Sequence, residues 1–254
     1  MNKTRLVLGR ARSGTTWLAN MMAAKAMYLH EPFSGIDETK RFITKWDNAT
    51  GDVLGDIIGD KKGHLVIKEV RINHNAEWIA QRYPDMQIAA IIRNPFATVY
   101  SCLNFTRNMG SNPFRSLSNS TYSTIGVDDK CYYDARYTYG WLWAVENANI
   151  LAANKYNNFN IVYYEELVYN AEMVLKSITH DWPFEIDDMI NCEDKYNTKH
   201  EWSNPNDPEY WRDVLPNKHR KEAEKAIRSF ANQMPSNDVP AGWNELMERY
   251  EINI

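Results

Sequence analysis

The sequence predicts a three-layer α/β fold in which helices cover both faces of a central, mostly parallel β-sheet. Short, continuous apolar runs recur along the chain, as is typical of strands that are buried on both faces. Helical stretches stand between these runs, and such alternation favours a parallel sheet. Ligands of these sheets bind beside the carboxyl ends of the strands, so the residues that follow each strand are the candidates for function.

The expected elements follow one another without a break in composition, so we expect a single domain over residues 1–254. The predicted strands are Thr4–Gly9, Leu65–Val70, Gln87–Arg93 and Asn160–Tyr164. The predicted helices are Thr15–Met27, Asn75–Arg82, Pro95–Asn104 and about 135–155, with shorter ones after residue 185, of which 217–233 is the clearest. Residues 106–134 are rich in Asn, Ser, Gly and Tyr and show no period, which indicates an irregular insertion.

Composition excludes several classes of protein. The chain is 44% hydrophobic and 24% charged, which is ordinary for a globular protein and argues against disorder. Its net charge of −4 makes a nucleic-acid partner unexpected. No apolar run approaches the roughly 20 residues of a membrane span, and no secretory segment stands at the start, so we expect a cytoplasmic protein without a membrane span. Three scattered cysteines, at positions 102, 131 and 192, predict neither a disulfide framework nor a metal site.

A glycine-containing loop follows the first predicted strand. Residues 9–16 have the spacing G-x-x-x-x-G-T-T, which is the Walker A pattern with its lysine replaced by Thr15. Backbone N–H groups of such a loop and of the helix after it bind phosphate. A plain turn with solvated arginines is the alternative, but the polar residues favour an anion site. The candidate ligands are Arg10, Arg12, Ser13, Gly14, Thr15 and Thr16.

A second candidate anion site follows the strand that is predicted to end at Arg93. Ser101 lies eight residues later, about two turns into the next helix, so both side chains are expected to face one pocket. A guanidinium and a hydroxyl together suit a phosphate.

These motifs resemble those of the sulfotransferases that use 3′-phosphoadenosine 5′-phosphosulfate (PAPS). The family's [K/R]-S-G-T-T-W-L motif stands at residues 12–18, and its R-[N/D]-P motif with a serine eight residues after the arginine stands at Arg93 and Ser101. A weaker Y-E-[D/E]-L element stands at 164–167. The resemblance covers about residues 4–180 and implies a P-loop-containing nucleotide-hydrolase-like architecture of the sulfotransferase type.

The resemblance also implies a division of roles around the donor. Residues 12–16 would hold the 5′-phosphosulfate, Arg93 and Ser101 would hold the 3′-phosphate, and Trp17 and Tyr164 would lie near the adenine. A triphosphate has no use for the second phosphate site, whereas PAPS and its product PAP carry phosphate at both positions. The resemblance also implies a reaction that requires no metal.

The catalytic residues are expected at the ends of neighbouring strands. Arg12 and Lys68 are the expected cations that stabilise the leaving phosphate. The histidine base of cytosolic small-molecule members is replaced here by Val70, whereas carbohydrate and bacterial members carry a Y-E-P stretch after the first helix. Residues 28–32 read YLHEP, so we expect Glu31 as the base, with a pKa raised by burial and with His30 and Glu69 as reserve candidates.

The acceptor is expected to be a saccharide or another small hydroxylated molecule. The sequence WRDVL at 211–215 resembles the W-R-x-x-L of carbohydrate sulfotransferases, and aromatic residues cluster at the insertion, which we expect near the acceptor site. Trp141, Val145 and Ala148 have helical spacing and are expected in the core. Two other functions stay open, a nucleotide or nucleoside kinase with a degenerate Walker A motif and a non-catalytic PAP or PAPS binder. The sequence does not predict the oligomeric state.

Overall fold

Five parallel strands form the centre of the protein, in the spatial order β2-β3-β1-β4-β5. They are β1 (Thr4–Gly9), β2 (Met27–His30), β3 (Leu65–Lys68), β4 (Gln87–Ile92) and β5 (Phe159–Tyr163). The structure is a computed structural model that describes residues 3–35, 53–59, 61–109, 129–179, 181–191 and 207–254.

Helices fill the connections between the strands and the rest of the described chain. They are α1 (Thr15–Met22), α2 (Val53–Ile58), α3 (Ala76–Arg82), α4 (Pro95–Met109), α5 (Ala135–Ala153), α6 (Tyr164–Tyr169), α7 (Ala171–Ile178), α8 (Ile186–Ile190), α9 (Trp211–Val214), α10 (Asn217–Gln233) and α11 (Trp243–Arg249). Single 3₁₀ turns stand at Pro32–Gly35, Asn73–Asn75 and Asp129–Tyr132.

The continuous apolar runs are strands with a hydrophobic core on each face. In β1, Leu6 and Leu8 face a core that includes residues of α3, α4, α5 and α10, whereas Val7 faces a core that includes α1, α7 and α8. Successive side chains of a strand point to opposite faces, so a strand that is covered on both sides has no polar alternation. The predicted three-layer α/β fold with a parallel sheet is confirmed.

The strands end slightly earlier than predicted, which moves several polar residues off the sheet. The ladders of β3 and β4 end at Lys68 and Ile92, so Glu69 and Arg93 stand just beyond their strands. Tyr164 opens α6 instead of closing β5. The polar residues therefore lie in the connections where ligands of parallel sheets bind.

The predicted helix Thr15–Met27 is wrong in its second half. The helix ends at Met22, and residues 27–30 form β2, whose residues pair with β3 in the register Met27↔Leu65 to His30↔Lys68. Three alanines at 23–26 favour a helix by propensity, but these residues form the turn that leads into β2, and a preference of about a few tenths of a kcal/mol per residue does not extend the helix through them.

The predicted irregular segment begins later than expected. Helix α4 continues to Met109, so residues 106–109 are helical, and residues 110–128 lie outside the described part of the chain. Asp134 then caps α5, because its carboxylate accepts hydrogen bonds from the backbone N–H groups of Arg136 (2.9 Å) and Tyr137 (3.5 Å). Within the described ranges, no helix has the length and apolarity needed to cross a membrane.

Candidate active site

The loop after β1 needs both of its glycines. Gly9 has φ 145°, and a Cβ there would lie 2.6 Å from the carbonyl oxygen of Ile91. Gly14 has φ 92°, and a Cβ there would lie 2.5 Å from the ring of Tyr164. Between them the backbone N–H of Ser13 donates to the carbonyl of Arg10 at 3.1 Å. The tight turn thus brings the start of α1 against the end of the sheet.

Ser13 is the clearest sign of a ligand in this loop. Its residue is 1% exposed, and its Oγ has no hydrogen-bond partner among the described residues. Buried hydroxyls in folded proteins are normally hydrogen-bonded. The orphan hydroxyl precedes α1, whose first N–H groups have no partner within the helix, and Thr15 and Thr16 are its first two residues. The group fits a bound anion.

The two arginines of the loop point in different directions. Arg10 forms a buried ion pair with Glu146 of α5, with side chains that are 7% and 6% exposed. Asn73 completes the connection, because its Oδ1 accepts from the N–H of Gly9 at 3.0 Å and its Nδ2 donates to Glu146 at 2.9 Å. Arg10 therefore anchors the loop to α5.

Arg12 lies against α4. Its Nε donates to Oγ of Ser101 at 3.1 Å, and its guanidinium stands 5.2 Å from the centre of the Phe105 ring. Its backbone is left-handed, with φ 75°, a conformation that costs a residue other than glycine about 1 kcal/mol.

The predicted second anion site comes together with the first. Nη1 of Arg93 donates to the carbonyl of Arg12 at 3.1 Å, and its guanidinium stands 4.3 Å from the centre of the Tyr164 ring. Trp143 holds the turn, since its Nε1 donates to the carbonyl of Arg93 at 2.8 Å. Nε of Arg93 is buried and has no hydrogen-bond partner in the described part of the chain. The structure thus brings Arg12, Arg93 and Ser101 together at the ends of β1 and β4.

Tyr164 and Trp17 form an aromatic wall beside the loop. Their rings meet edge to face at 5.9 Å, and Tyr164 also packs on Gly14 and under Arg93. The Tyr164 ring therefore contacts Arg93 and packs on Gly14, the residue that follows Ser13. The arrangement fits a nucleotide that presents a flat base and two separate phosphates.

A third group of charges lies at the ends of β2 and β3. The carboxylate of Glu31 forms ion pairs with the ammonium of Lys68 and with Nη1 of Arg71, the latter at 2.7 Å. Nε2 of His30 is 3.8 Å from the same carboxylate. Lys68 is 3% exposed, and it pairs in register with Val7 of β1, the strand that leads into the phosphate loop.

The predicted upward shift of the Glu31 pKa is wrong. Burial acts to raise the pKa of Glu31, but the charges of Lys68 and Arg71 and the hydrogen bond from Lys68 outweigh burial and lower it. Burial lowers the pKa of Lys68, against the opposing effect of Glu31. Burial and the charge of Lys68 also lower the pKa of His30. At neutral pH the group is an ionised Glu31 beside a neutral imidazole.

Glu69, one of the reserve bases, has a structural position. It is fully buried, and its two carboxylate oxygens accept hydrogen bonds from the backbone N–H groups of Phe33 (3.1 Å), Val70 (2.8 Å) and Arg71 (3.0 Å). Burial raises its pKa. These bonds join the segments after β2 and β3, so the Glu69 carboxylate holds the backbone of both segments.

Sequence reasoning missed Arg71, Asn73 and Glu146. Arg71 had a usable signal, because it lies three residues after Lys68 beyond the same strand. Glu146 had a weaker one, as a carboxylate within an apolar helix pattern. The described residues contain no group of three or more His, Cys, Asp or Glu side chains placed to hold a metal ion.

The described aromatic residues that were weighed for the acceptor include several that lie in the core. Trp141, Val145 and Ala148 are buried in α5, as expected. Trp211 of the WRDVL sequence is also buried and packs on Phe96 with ring centres 5.1 Å apart. Most of the predicted insertion lies outside the described residues, so its expected place near the acceptor is still a prediction.

The fold is that of the sulfotransferases. The crystal structure of a sulfotransferase from Alicyclobacillus acidocaldarius matches with a TM-score of 0.51 at 13% identity, over 100% of this chain and 98% of that one. Mouse sulfotransferase SULT7A1, solved in complex with PAP, matches with a TM-score of 0.54 at 14% identity, over 98% and 90%. The sulfotransferase domain of the Synechococcus PCC 7002 olefin synthase matches with a TM-score of 0.54 at 18% identity, over 92% and 96%. No protein-family model and no curated protein match the sequence. The architecture that the motifs predicted is therefore confirmed at the level of fold.

Proposed function

We propose that this protein is a single-domain PAPS-dependent sulfotransferase that moves the sulfuryl group of PAPS to a hydroxyl of a small-molecule or saccharide acceptor and releases PAP. The observation that carries the proposal is the pair of orphan polar groups beside one aromatic ring. Ser13 and Arg93 each have a buried polar atom without a partner among the described residues, and Tyr164 contacts Arg93 and packs on Gly14, the residue after Ser13. PAPS combines a flat base with phosphates at both ends of its ribose, which is the ligand that this pattern suits.

The donor's 5′ end is assigned to the start of α1. The backbone N–H groups there, with the hydroxyls of Ser13, Thr15 and Thr16, would bind the phosphosulfate through hydrogen bonds and the helix dipole. The replacement of the Walker lysine by Thr15 supports this donor over a nucleoside triphosphate, because the lysine serves the β- and γ-phosphates of a triphosphate.

Glu31 is assigned as the general base and Lys68 as the cation beside the transferred group. The acceptor oxygen forms a bond to sulfur while the bond from sulfur to the 5′-phosphate oxygen breaks, and the hydroxyl proton passes to Glu31. The low pKa of Glu31 keeps it ionised and ready to accept that proton. Protonation of Glu31 cancels its charge, which leaves the Lys68 ammonium free to stabilise negative charge on the departing phosphate.

The acceptor class rests on chemistry and on the matched fold. Retinol dehydratase, another structure with this fold (TM-score 0.53, 13% identity), was solved with androsterone and PAP. Such hydroxylated molecules have the functional group that Glu31 would deprotonate. A saccharide is the alternative that the WRDVL sequence favours.

Calorimetric titration and a transfer screen test the proposal. PAP and PAPS should bind in the presence of EDTA, whereas ATP with magnesium should bind poorly. A screen of labelled PAPS against saccharides, phenols and lipid alcohols should then find a sulfated product. Preferential binding of ATP with magnesium would favour the kinase and overturn the proposal.

One observation favours a non-catalytic binder as the second candidate. Glu31 is neutralised by Lys68 and Arg71 in ion pairs, so the proposed base and cation satisfy each other. Tight binding of PAP without sulfation of any acceptor in the screen would support this function.

A further inference from the structure

We propose that Glu165 and Tyr250 are positioning residues that hold Arg93 in the orientation in which it binds the donor's 3′-phosphate. The inference rests on the proposed function and deepens it, because it extends the donor site to the segment after α11. Both side chains act through the backbone at Arg93, so neither is assigned a contact with the donor.

The peptide group between Arg93 and Asn94 is held on both sides. Its carbonyl accepts a hydrogen bond from Nε1 of Trp143 at 2.8 Å, and its N–H donates to Oε1 of Glu165 at 2.8 Å. Because a peptide group is planar, these two bonds fix its orientation, and with it the backbone from which the Arg93 side chain projects.

Tyr250 contacts both of the side chains that hold this peptide. Its hydroxyl donates to Oε2 of Glu165 at 3.1 Å, and its ring meets that of Trp143 edge to face, with centres 6.0 Å apart. Tyr250 is itself buried, at 5% exposure. The residue that follows α11 therefore supports the turn between β4 and α4.

Glu165 holds this turn without taking the place of the phosphate. Burial raises the pKa of Glu165, and the hydrogen bond from Asn94 and the charge of Arg93 act in the opposite direction. Within the described part of the chain Glu165 and Arg93 form no ion pair, and Nε of Arg93 is buried without a hydrogen-bond partner. The carboxylate thus bonds to the backbone of the turn, while the guanidinium keeps a donor for an anion.

Calorimetry with PAP and 5′-AMP tests the inference, because the two nucleotides differ only in the 3′-phosphate. Glu165→Ala should weaken PAP by about 10-fold and 5′-AMP by less than about 2-fold, since only the 3′-phosphate depends on the turn at Arg93. Tyr250→Phe keeps the ring but removes the hydroxyl, so it should weaken PAP by about 3-fold with the same selectivity. Glu165→Gln keeps an oxygen that accepts from Asn94, so most of the PAP affinity should return.

The neighbouring carboxylate provides a matched control. Glu166 pairs with Arg249, so it joins α6 to α11 as Glu165 does, but the N–H of Asn94 bonds to Glu165 instead. Glu166→Ala should therefore leave the affinities for PAP and 5′-AMP unchanged.

A double-mutant cycle determines whether Glu165 acts through Arg93. In the Arg93→Ala background, Glu165→Ala should have little further effect on PAP binding, because the side chain that Glu165 positions is already gone. Thermal unfolding identifies any variant that fails to fold, and Tyr250→Phe then replaces Glu165→Ala in the cycle.

The possible outcomes separate the two proposals. Equal losses for PAP and 5′-AMP in Glu165→Ala would overturn the inference, and so would unchanged PAP binding or full additivity with Arg93→Ala. If the unmodified protein binds no PAP at all, the proposed function fails and the inference fails with it. A selective and non-additive loss of PAP binding supports both.

Discussion

Charged side chains are paired differently in two regions at the carboxyl ends of the strands. We call the ends of β1 and β4 the unpaired half and the ends of β2 and β3 the paired half. At the ends of β1 and β4, Arg12 and Arg93 form no ion pair among the described residues, although Glu165 acts on Arg93 electrostatically. At the ends of β2 and β3, Lys68 and Arg71 pair with Glu31, and Arg71 also pairs with Glu69. An unpaired cation attracts an anion directly. A cation that is paired with a carboxylate, as Lys68 is with Glu31, becomes available to another anion when the carboxylate is protonated. One half is therefore suited to holding the donor, and the other half to responding to a proton.

The largest expected effect is on the paired half. Glu31→Gln removes the proton acceptor but keeps the shape, so turnover should fall about 10²- to 10⁴-fold with little change in PAP affinity. Initial-rate assays and calorimetry measure the two quantities, and Glu172→Gln, in an exposed surface pair, is the control. Turnover near normal in Glu31→Gln would remove Glu31 as the base.

The anchor of the phosphate loop should dominate stability. Glu146→Gln removes the negative charge that pairs with the buried Arg10, so the free energy of unfolding should fall by about 3–5 kcal/mol. Urea denaturation measures this loss. The double variant Arg10→Met/Glu146→Leu should lose less stability than the sum of the losses in Arg10→Met and in Glu146→Leu, and simple additivity would contradict the ion pair.

A smaller effect is expected on the unpaired half. Arg93→Ala removes a charged donor, which should weaken PAP binding by about 10- to 100-fold while turnover at saturating PAPS changes less. Arg228→Ala, on the surface of α10, is the matched control. A larger effect on turnover than on binding would place Arg93 with the catalytic half instead.

The pH dependence of turnover sharpens the comparison further. The pKa of Glu31 is lowered from its ordinary value of 4.5, so Glu31 is mostly ionised at pH 4.5. The acid limb of the pH–turnover profile should therefore lie below that pH. Burial lowers the pKa of Lys68, so the alkaline limb should begin below its ordinary value of 10.5. In Glu31→Gln the alkaline limb of the residual activity should begin at a still lower pH, because the charge of Glu31, which raises the pKa of Lys68, is gone. An unchanged alkaline limb would argue against Lys68.

Local patterns predicted the sheet and the ligand-binding loops well. The runs at Thr4–Gly9 and Gln87–Ile92 are buried on both faces, so their composition alone identifies them, and the glycines at 9 and 14 mark a turn that no other residue type fits. Strand β2 was not predicted because it is a four-residue strand at the edge of the sheet. Its side chains, such as Tyr28, are exposed or only partly buried, so it has no continuous apolar run that would mark it as a buried strand.

The roles of charged residues could not be predicted because they depend on distant partners. Arg10 and Arg12 look equivalent in the sequence, and they differ because Glu146 follows 136 residues after the first and Ser101 follows 89 residues after the second. The pKa of Glu31 had the wrong expected direction for the same reason, since Lys68 and Arg71 approach only once β2 pairs with β3.

The left-handed backbones of Arg12 and Glu31 imply a trade-off between stability and activity. Both residues have positive φ, at 75° and 48°, in the two segments assigned to donor binding and proton transfer. Glycine relieves this backbone strain, worth about 1 kcal/mol at each position, yet it would delete the functional side chain. A selection for thermal tolerance alone would therefore be expected to recover Arg12→Gly, and a selection for sulfation to reject it.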